Sequence, residues 1–167
     1  MKLYAFVTAA FMSGLVAAGA PALAADSATP SLPTKHASAV SAADLYRLYR
    51  GKTWVWSDGA GFFGPDGHFS AQAGPYSARG MWWVNYQGGV CFDAQWRGEG
   101  WVKPVLSCFS HSQDGEAWYQ KREPSGTWWI FKSWPPRADD EVMKLKAGNF
   151  VPRAPAKANL AMNSVTP

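Results

Sequence analysis

The chain has 167 residues, ten of them tryptophan, and a formal net charge of +4. Divided along the chain, that charge leaves the centre nearly neutral. Between residues 41 and 150 twelve Lys and Arg stand against eleven Asp and Glu, leaving +1, and the remaining cations are Lys2, Lys35, Arg153 and Lys157 in the flanks. A dedicated nucleic-acid surface needs clustered positive charge and is not expected here; the mixed signs read as an ordinary solvated surface.

Met1-Lys2, an apolar run over 3–16, and small residues ending in Ala22-Leu23-Ala24 have the layout of a Sec-type signal peptide, 1–24, cut after Ala24. A membrane span needs about 20 apolar residues. This run is shorter and holds Thr8, Ser13 and Gly14, so no transmembrane segment is expected after cleavage. The residue directly after the cut is Ala25 and not a cysteine, which argues against a lipid anchor. Residues 25–39, rich in Ala and Ser with Pro30 and Pro33, have little to bury and read as a disordered linker. The same reasoning makes 151–167 a disordered tail and leaves 40–150 as a single domain. The expected location is the periplasm or the exterior.

The domain opens with a helix signal. Ser41 is placed as N-cap with Asp44 at N3, and Val40 before the cap can pack on Leu45 as a staple. Ala42, Leu45, Leu48 and Tyr49 recur at helical spacing, Arg47 and Arg50 suit the C-terminal end of the dipole, and Gly51 can take the left-handed conformation after the last turn.

From Thr53 the period becomes two, giving eight expected strands: 53–57, 60–63, 68–72, 78–84, 89–97, 101–109, 117–122 and 127–133. Turn chemistry such as Ser57-Asp58-Gly59, Gly64-Pro65-Asp66-Gly67 and Gly98-Glu99-Gly100 separates them. Links this short cannot make parallel crossovers, so the strands pair antiparallel with their neighbours. The fold class expected is mainly β: a meander closing into a small up-and-down barrel with one N-terminal helix, which would remove exposed edges. A strongly bent open sheet around the helix is the alternative. In 89–97, Val90, Phe92, Ala94 and Trp96 share one face, and Cys91 lies on the other with Asp93, Gln95 and Arg97. Pro135-Pro136 ends the last strand, and 139–146 is expected to add a helical turn ended by Gly148.

Cys91 and Cys108 are the two cysteines of the sequence. In an oxidising compartment they should form a disulfide, worth about 3 kcal/mol through the unfolded state. They lie in no C-x-x-C, and without a His cluster they suggest no zinc site, so no metal is expected. The Gly-rich pieces match no phosphate loop, so no cofactor is expected. His68 is expected on the solvated side of a hairpin and His111 in a polar turn over 110–116. The carboxylates fall mostly in turns, and spacing reveals no nucleophile, base and orienting group together. No catalytic residue is therefore assigned.

The tryptophans between Trp54 and Trp134 carry two readings. Trp54, Trp56, Trp83, Trp96 and Trp129 could form the core of a barrel short of aliphatic residues. Alternatively some line a cleft, where flat indoles stack on sugars or amphipathic ligands. The pairs Trp82-Trp83 and Trp128-Trp129 favour the second, because neighbours in a strand point to opposite faces. Trp54, Trp56, Trp82 and Trp83 are the candidate ligand-binding residues.

Leu45-Tyr46-Arg47-Leu48-Tyr49, Gly51-Lys52-Thr53-Trp54-Val55-Trp56, Gly61-Phe62-Phe63, Asp66-Gly67-His68-Phe69, Gly80-Met81-Trp82-Trp83-Val84, Val90-Cys91-Phe92 and Cys108-Phe109 resemble a family of exported, chiefly alphaproteobacterial proteins of unknown function, the DUF 995 type. The likeness spans nearly the whole domain and implies envelope location alone. Gly51-Lys52-Thr53-Trp54 also looks like the G-x-W start of calycin barrels such as lipocalins, with one residue more, and that likeness implies an interior for small apolar molecules.

The leading expectation is a non-enzymatic binding or accessory module for an amphipathic small molecule or a cell-envelope saccharide. The alternative is a protein-interaction module, a hydrolase inhibitor or envelope-stress accessory factor, binding an envelope protein through loops 72–76 and 110–116.

Overall fold

The computed structural model describes residues 33–152 apart from Lys35. The expected signal peptide, and the expected tail beyond residue 152, lie outside the described residues. The helix forms as its caps dictate. The Ser41 hydroxyl accepts the Asp44 N–H at 3.1 Å and donates to the Asp44 carboxylate at 2.6 Å, starting α1, Ala42–Tyr49. Val40 and Leu45 are both fully buried, so the staple is made. Gly51, at φ +71°, turns the chain out of the helix, a conformation that a Cβ would strain. Its N–H then donates to the Phe63 carbonyl at 2.7 Å and leads into the sheet.

The strands are β1 Ser38–Ala39, β2 Lys52–Trp56, β3 Gly59–Phe63, β4 His68–Ala73, β5 Tyr76–Val84, β6 Gly89–Gly98, β7 Trp101–Asp114, β8 Ala117–Arg122, β9 Trp129–Lys132 and β10 Leu145–Ala147. They form one antiparallel sheet in the order β10-β2-β3-β4-β5-β6-β7-β8-β9, with β1 also paired to β7. All eight expected strands are present, paired with their sequence neighbours as short links require. The two additional strands, β1 and β10, are too short to show a period. β1 lies inside the stretch assigned to the linker, and ordered pairing thus begins at Ser38. The expected helical turn over 139–146 is a 3-10 turn at Glu141–Lys144, after which Leu145–Ala147 pairs with the open edge of β2.

The sheet curls into a half-barrel rather than closing by a ladder, since β9 and β10 are its two ends. Pro135 and Pro136 follow β9 and have no N–H with which to continue pairing. The segment crossing from one end to the other is held by Asp140, whose buried carboxylate accepts from Ser133 N–H, Ser133 Oγ and Arg137 N–H. The 3-10 turn then packs against both β9 and β2.

Alternation sorts the side chains. Val90 and Ala94 of β6 join α1 residues Leu45 and Tyr49, Phe63, Phe69, Trp82 and Phe131 in the core, with Phe92 and Trp96 packed against it. Cys91 points to the other face, bonded to Cys108 directly across on β7. The stretch 110–116 is not a polar turn: β7 runs through Asp114, pairing Ser110 to Lys121 and His111 to Gln120, so only Gly115-Glu116 is left as the link. His111 is 1% exposed. Its run of Ser, Gln and Asp hides a strand whose inward His111 is polar and meets Tyr49 and Gln120 through Nε2.

Candidate ligand-binding site

β7 is fourteen residues long, but β8 pairs with it only over 109–114. The last link on that side is Glu123 N–H to the Cys108 carbonyl, 2.9 Å. Even-numbered residues of β7 therefore present their backbone groups toward β8, and before Cys108 these have no strand neighbour among the described residues. Pro104 occupies one of those positions, where its missing N–H costs no ladder bond and blunts the edge against a further strand.

Odd-numbered residues of the same run, Trp101, Lys103, Val105, Ser107 and Phe109, form one wall of a cavity of about 630 Å³. Trp54 and Trp56 of β2 form the opposite wall, Gly61, Phe63, Phe69, Phe92 and Trp96 the floor, and Arg122 and Trp129 stand where β8 ends and β9 begins. Nine of the fourteen lining residues are aromatic, and this decides the chemistry: the surface is flat, apolar and polarisable. Phe69 and Phe92 stack at 4.2 Å between centroids, and Trp54 meets Phe109 edge-on at 5.1 Å. Gly61 leaves room for them, because a Cβ there would lie 3.0 Å from the Phe69 ring and 3.3 Å from the Trp56 ring.

The indole N–H groups divide. Trp54 Nε1 donates to Glu141 Oε1 at 2.8 Å, pinning the 3-10 turn over the sheet's open side. Among the described residues Trp56, Trp96, Trp101 and Trp129 have no protein acceptor, and their nitrogens are not among the sealed, unsatisfied polar atoms. Lys103 and Arg122 are the charged residues of the lining, and no Asp, Glu, His or Cys joins them.

Behind the floor, Tyr49, His111 and Gln120 form a buried polar cluster. Burial pushes the His111 imidazole down to about 4 and raises the Tyr49 phenol well above its usual value, so both are neutral at ordinary pH. His68, by contrast, is exposed as expected and lies 2.9 Å from Asp66.

Of the four residues singled out from the sequence, Trp54 and Trp56 line the cavity. Trp82 is buried in the core under Tyr46, with ring centroids 5.4 Å apart and its Nε1 donating to the Gly64 carbonyl at 2.8 Å. Trp83, the next residue, lies on the opposite face beside Cys91 and is 42% exposed. Neither lines the cavity. Sequence reasoning missed Trp101, Lys103, Arg122 and the Phe floor. Parity within the expected strands 101–109 and 117–122 was the available signal, since Lys103 shares a face with Phe109, and Arg122 shares one with Gln120.

Comparison with curated proteins and with solved structures found no match. A family model described as a protein of unknown function, DUF995, matches residues 14–151, most of the chain. The chain belongs to the DUF995 family.

Proposed function

We propose that this is an exported, non-enzymatic binding module whose aromatic trough takes an amphipathic small molecule or a cell-envelope saccharide. The observation that carries this reading is the trough itself: about 630 Å³, within the range of small-molecule sites, and lined by nine aromatic residues. Its lining offers the Ser107 hydroxyl but no carboxylate, imidazole or thiol to act as general base, which supports binding over turnover. The bonded cysteines fit an oxidising compartment and so support export.

The test is a titration of intrinsic tryptophan emission, with melting temperature alongside, against amphiphiles and envelope glycans. Binding should shift emission and raise the melting temperature, and Val105→Trp, which fills the trough from one wall, should abolish both effects. A panel that moves neither signal in the wild type would remove the binding reading.

A second reading, a protein-interaction module, draws support from Val102 and Leu106, 57% and 63% exposed on the face of β7 opposite the trough. The loop expected over 72–76 is only Gly74-Pro75, because β4 runs through Ala73 and β5 begins at Tyr76; Tyr76 lies beside Trp101, 5.4 Å between centroids, at the sheet's margin. Residues 110–114 are strand and leave little loop for a partner.

A further inference from the structure

We propose that the ligand of the trough is an anionic amphiphile, its apolar body laid on the aromatic floor and its acidic group drawn in by the positive field that Lys103 and Arg122 set up at the two ends of the opening. The inference rests on the binding reading above and narrows its ligand class. Both cations line the cavity, no carboxylate does, and among the described residues neither forms an ion pair. Arg47, Lys121, Arg137 and Lys144 are paired with acids, while Arg50, Lys52, Arg79, Arg97, Lys132 and Lys146 are, like Lys103 and Arg122, outside any ion pair among the described residues; what sets Lys103 and Arg122 apart is their place in the lining of an aromatic cavity. Two unpaired positive charges at the ends of an apolar surface leave an excess that an acidic group would neutralise.

Their positions bracket the opening. Arg122 stands opposite Phe109 at the last β7–β8 pair. Lys103 lies six positions earlier on β7, about 20 Å of strand at full extension. The unpartnered run of β7 lies between them, so a ligand entering there meets a cation at each end. An uncharged saccharide fits less well, because besides the indoles and the cations the lining gives its hydroxyls only Ser107. The chain's own tail is a poor occupant, since Arg153 and Lys157 carry the same sign as the trough.

Two fluorescent probes with the same aromatic body separate the terms: anilinonaphthalene sulfonate, which is anionic, and N-phenylnaphthylamine, which is neutral. The full mature chain should bind the sulfonate more tightly, and added salt should weaken that probe alone. K103Q and R122Q should each weaken it roughly twofold to fivefold, as loss of one exposed charge contact implies. The double variant should bring the two probes to equal affinity while the neutral probe is unchanged. Both substitutions are at exposed positions, and a melting temperature within a few degrees of wild type verifies folding.

Equal affinities in the wild type, or a preference surviving in the double variant, would overturn the anionic assignment and leave an aromatic binding site standing. If neither probe binds, the binding reading itself falls. A wild-type dimer in sedimentation that both probes fail to enter, and that the double variant dissociates, would give the trough to a second copy and overturn the proposal.

Discussion

The Tyr49 hydroxyl of α1 lies 2.9 Å from Nε2 of His111 on β7, in a part of the core that solvent does not reach. Gln120 of β8 donates to the same hydroxyl at 3.0 Å. One polar cluster thus ties the helix to two strands, framed by Phe63 and Phe131 at 4.9 and 6.3 Å from the Tyr49 ring. Its accounting is incomplete: His111 Nδ1 and Gln120 Oε1 have no partner among the described residues. A third polar group would be needed to stabilise an imidazolium there, so the site favours the neutral ring.

That preference makes stability depend on pH. The unfolded imidazole takes up its proton near 6.5, whereas the folded one resists until about 4. The folded state is therefore at full strength above 6.5, loses stability as pH falls from 6.5 to 4, and loses nothing more from this group below that. The window is worth about 3 kcal/mol. Urea unfolding of the wild type between pH 7 and 4 should show this loss, and His111→Gln should show a curve flatter by that amount. Parallel curves would mean that the imidazole titrates normally. Asp44 and Asp66, held low by hydrogen bonds from Ser41 and from the His68 backbone, affect stability only at and below the usual carboxylate range.

Cys91 and Cys108 face each other across β6 and β7, closing a loop with a sequence separation of 17. The hairpin pairs at nine positions without them, from Gly89–Ser110 to Gly98–Trp101. Replacing both by serine should accordingly preserve the circular dichroism spectrum while lowering the unfolding free energy by about 3 kcal/mol, the loop-closure value. A loss below about 1 kcal/mol would show that β6–β7 pairing already restrains the unfolded chain.

How far the sequence reveals this molecule depends on the length of each signal. α1 and the eight longer strands are legible because caps, period two and Gly-containing turns all act within a few residues of the chain. β10 is not, since Leu145–Ala147 becomes a strand only because β2 offers an unpaired edge ninety residues earlier. His111 looks like turn chemistry because its partners are Tyr49 and Gln120, which no local window joins to it. Half of the candidate site is legible for a related reason. Trp54 and Trp56 share an inward face that parity alone reveals, whereas Trp82 shares parity with the core but lies under Tyr46 of the helix. Trp83 enters the candidate set as the neighbour of Trp82, and the opposite-face rule that singles out the pair puts it on the outer face.

Thr53 gives the last prediction, because it is fully buried without joining the aromatic core. Its hydroxyl donates to the Gly148 carbonyl at 2.6 Å and accepts the Phe150 N–H at 3.0 Å. Gly148 N–H donates in turn to the Gly51 carbonyl at 2.9 Å. These bonds clasp the chain after β10 to the start of β2. Thr53→Val keeps the shape but removes both side-chain bonds, and should cost about 1–2 kcal/mol. The effect should be local: amide exchange should quicken at Phe150 and along β10, with α1 and the β6–β7 hairpin unchanged. Because the same segment leads back to Glu141, which holds the Trp54 indole, the wall of the trough formed by β2 should loosen with it, and probe affinity should fall while the fold remains. Exchange that quickened uniformly across the sheet would instead make Thr53 a determinant of global stability, with no separate role in fastening this end of the half-barrel.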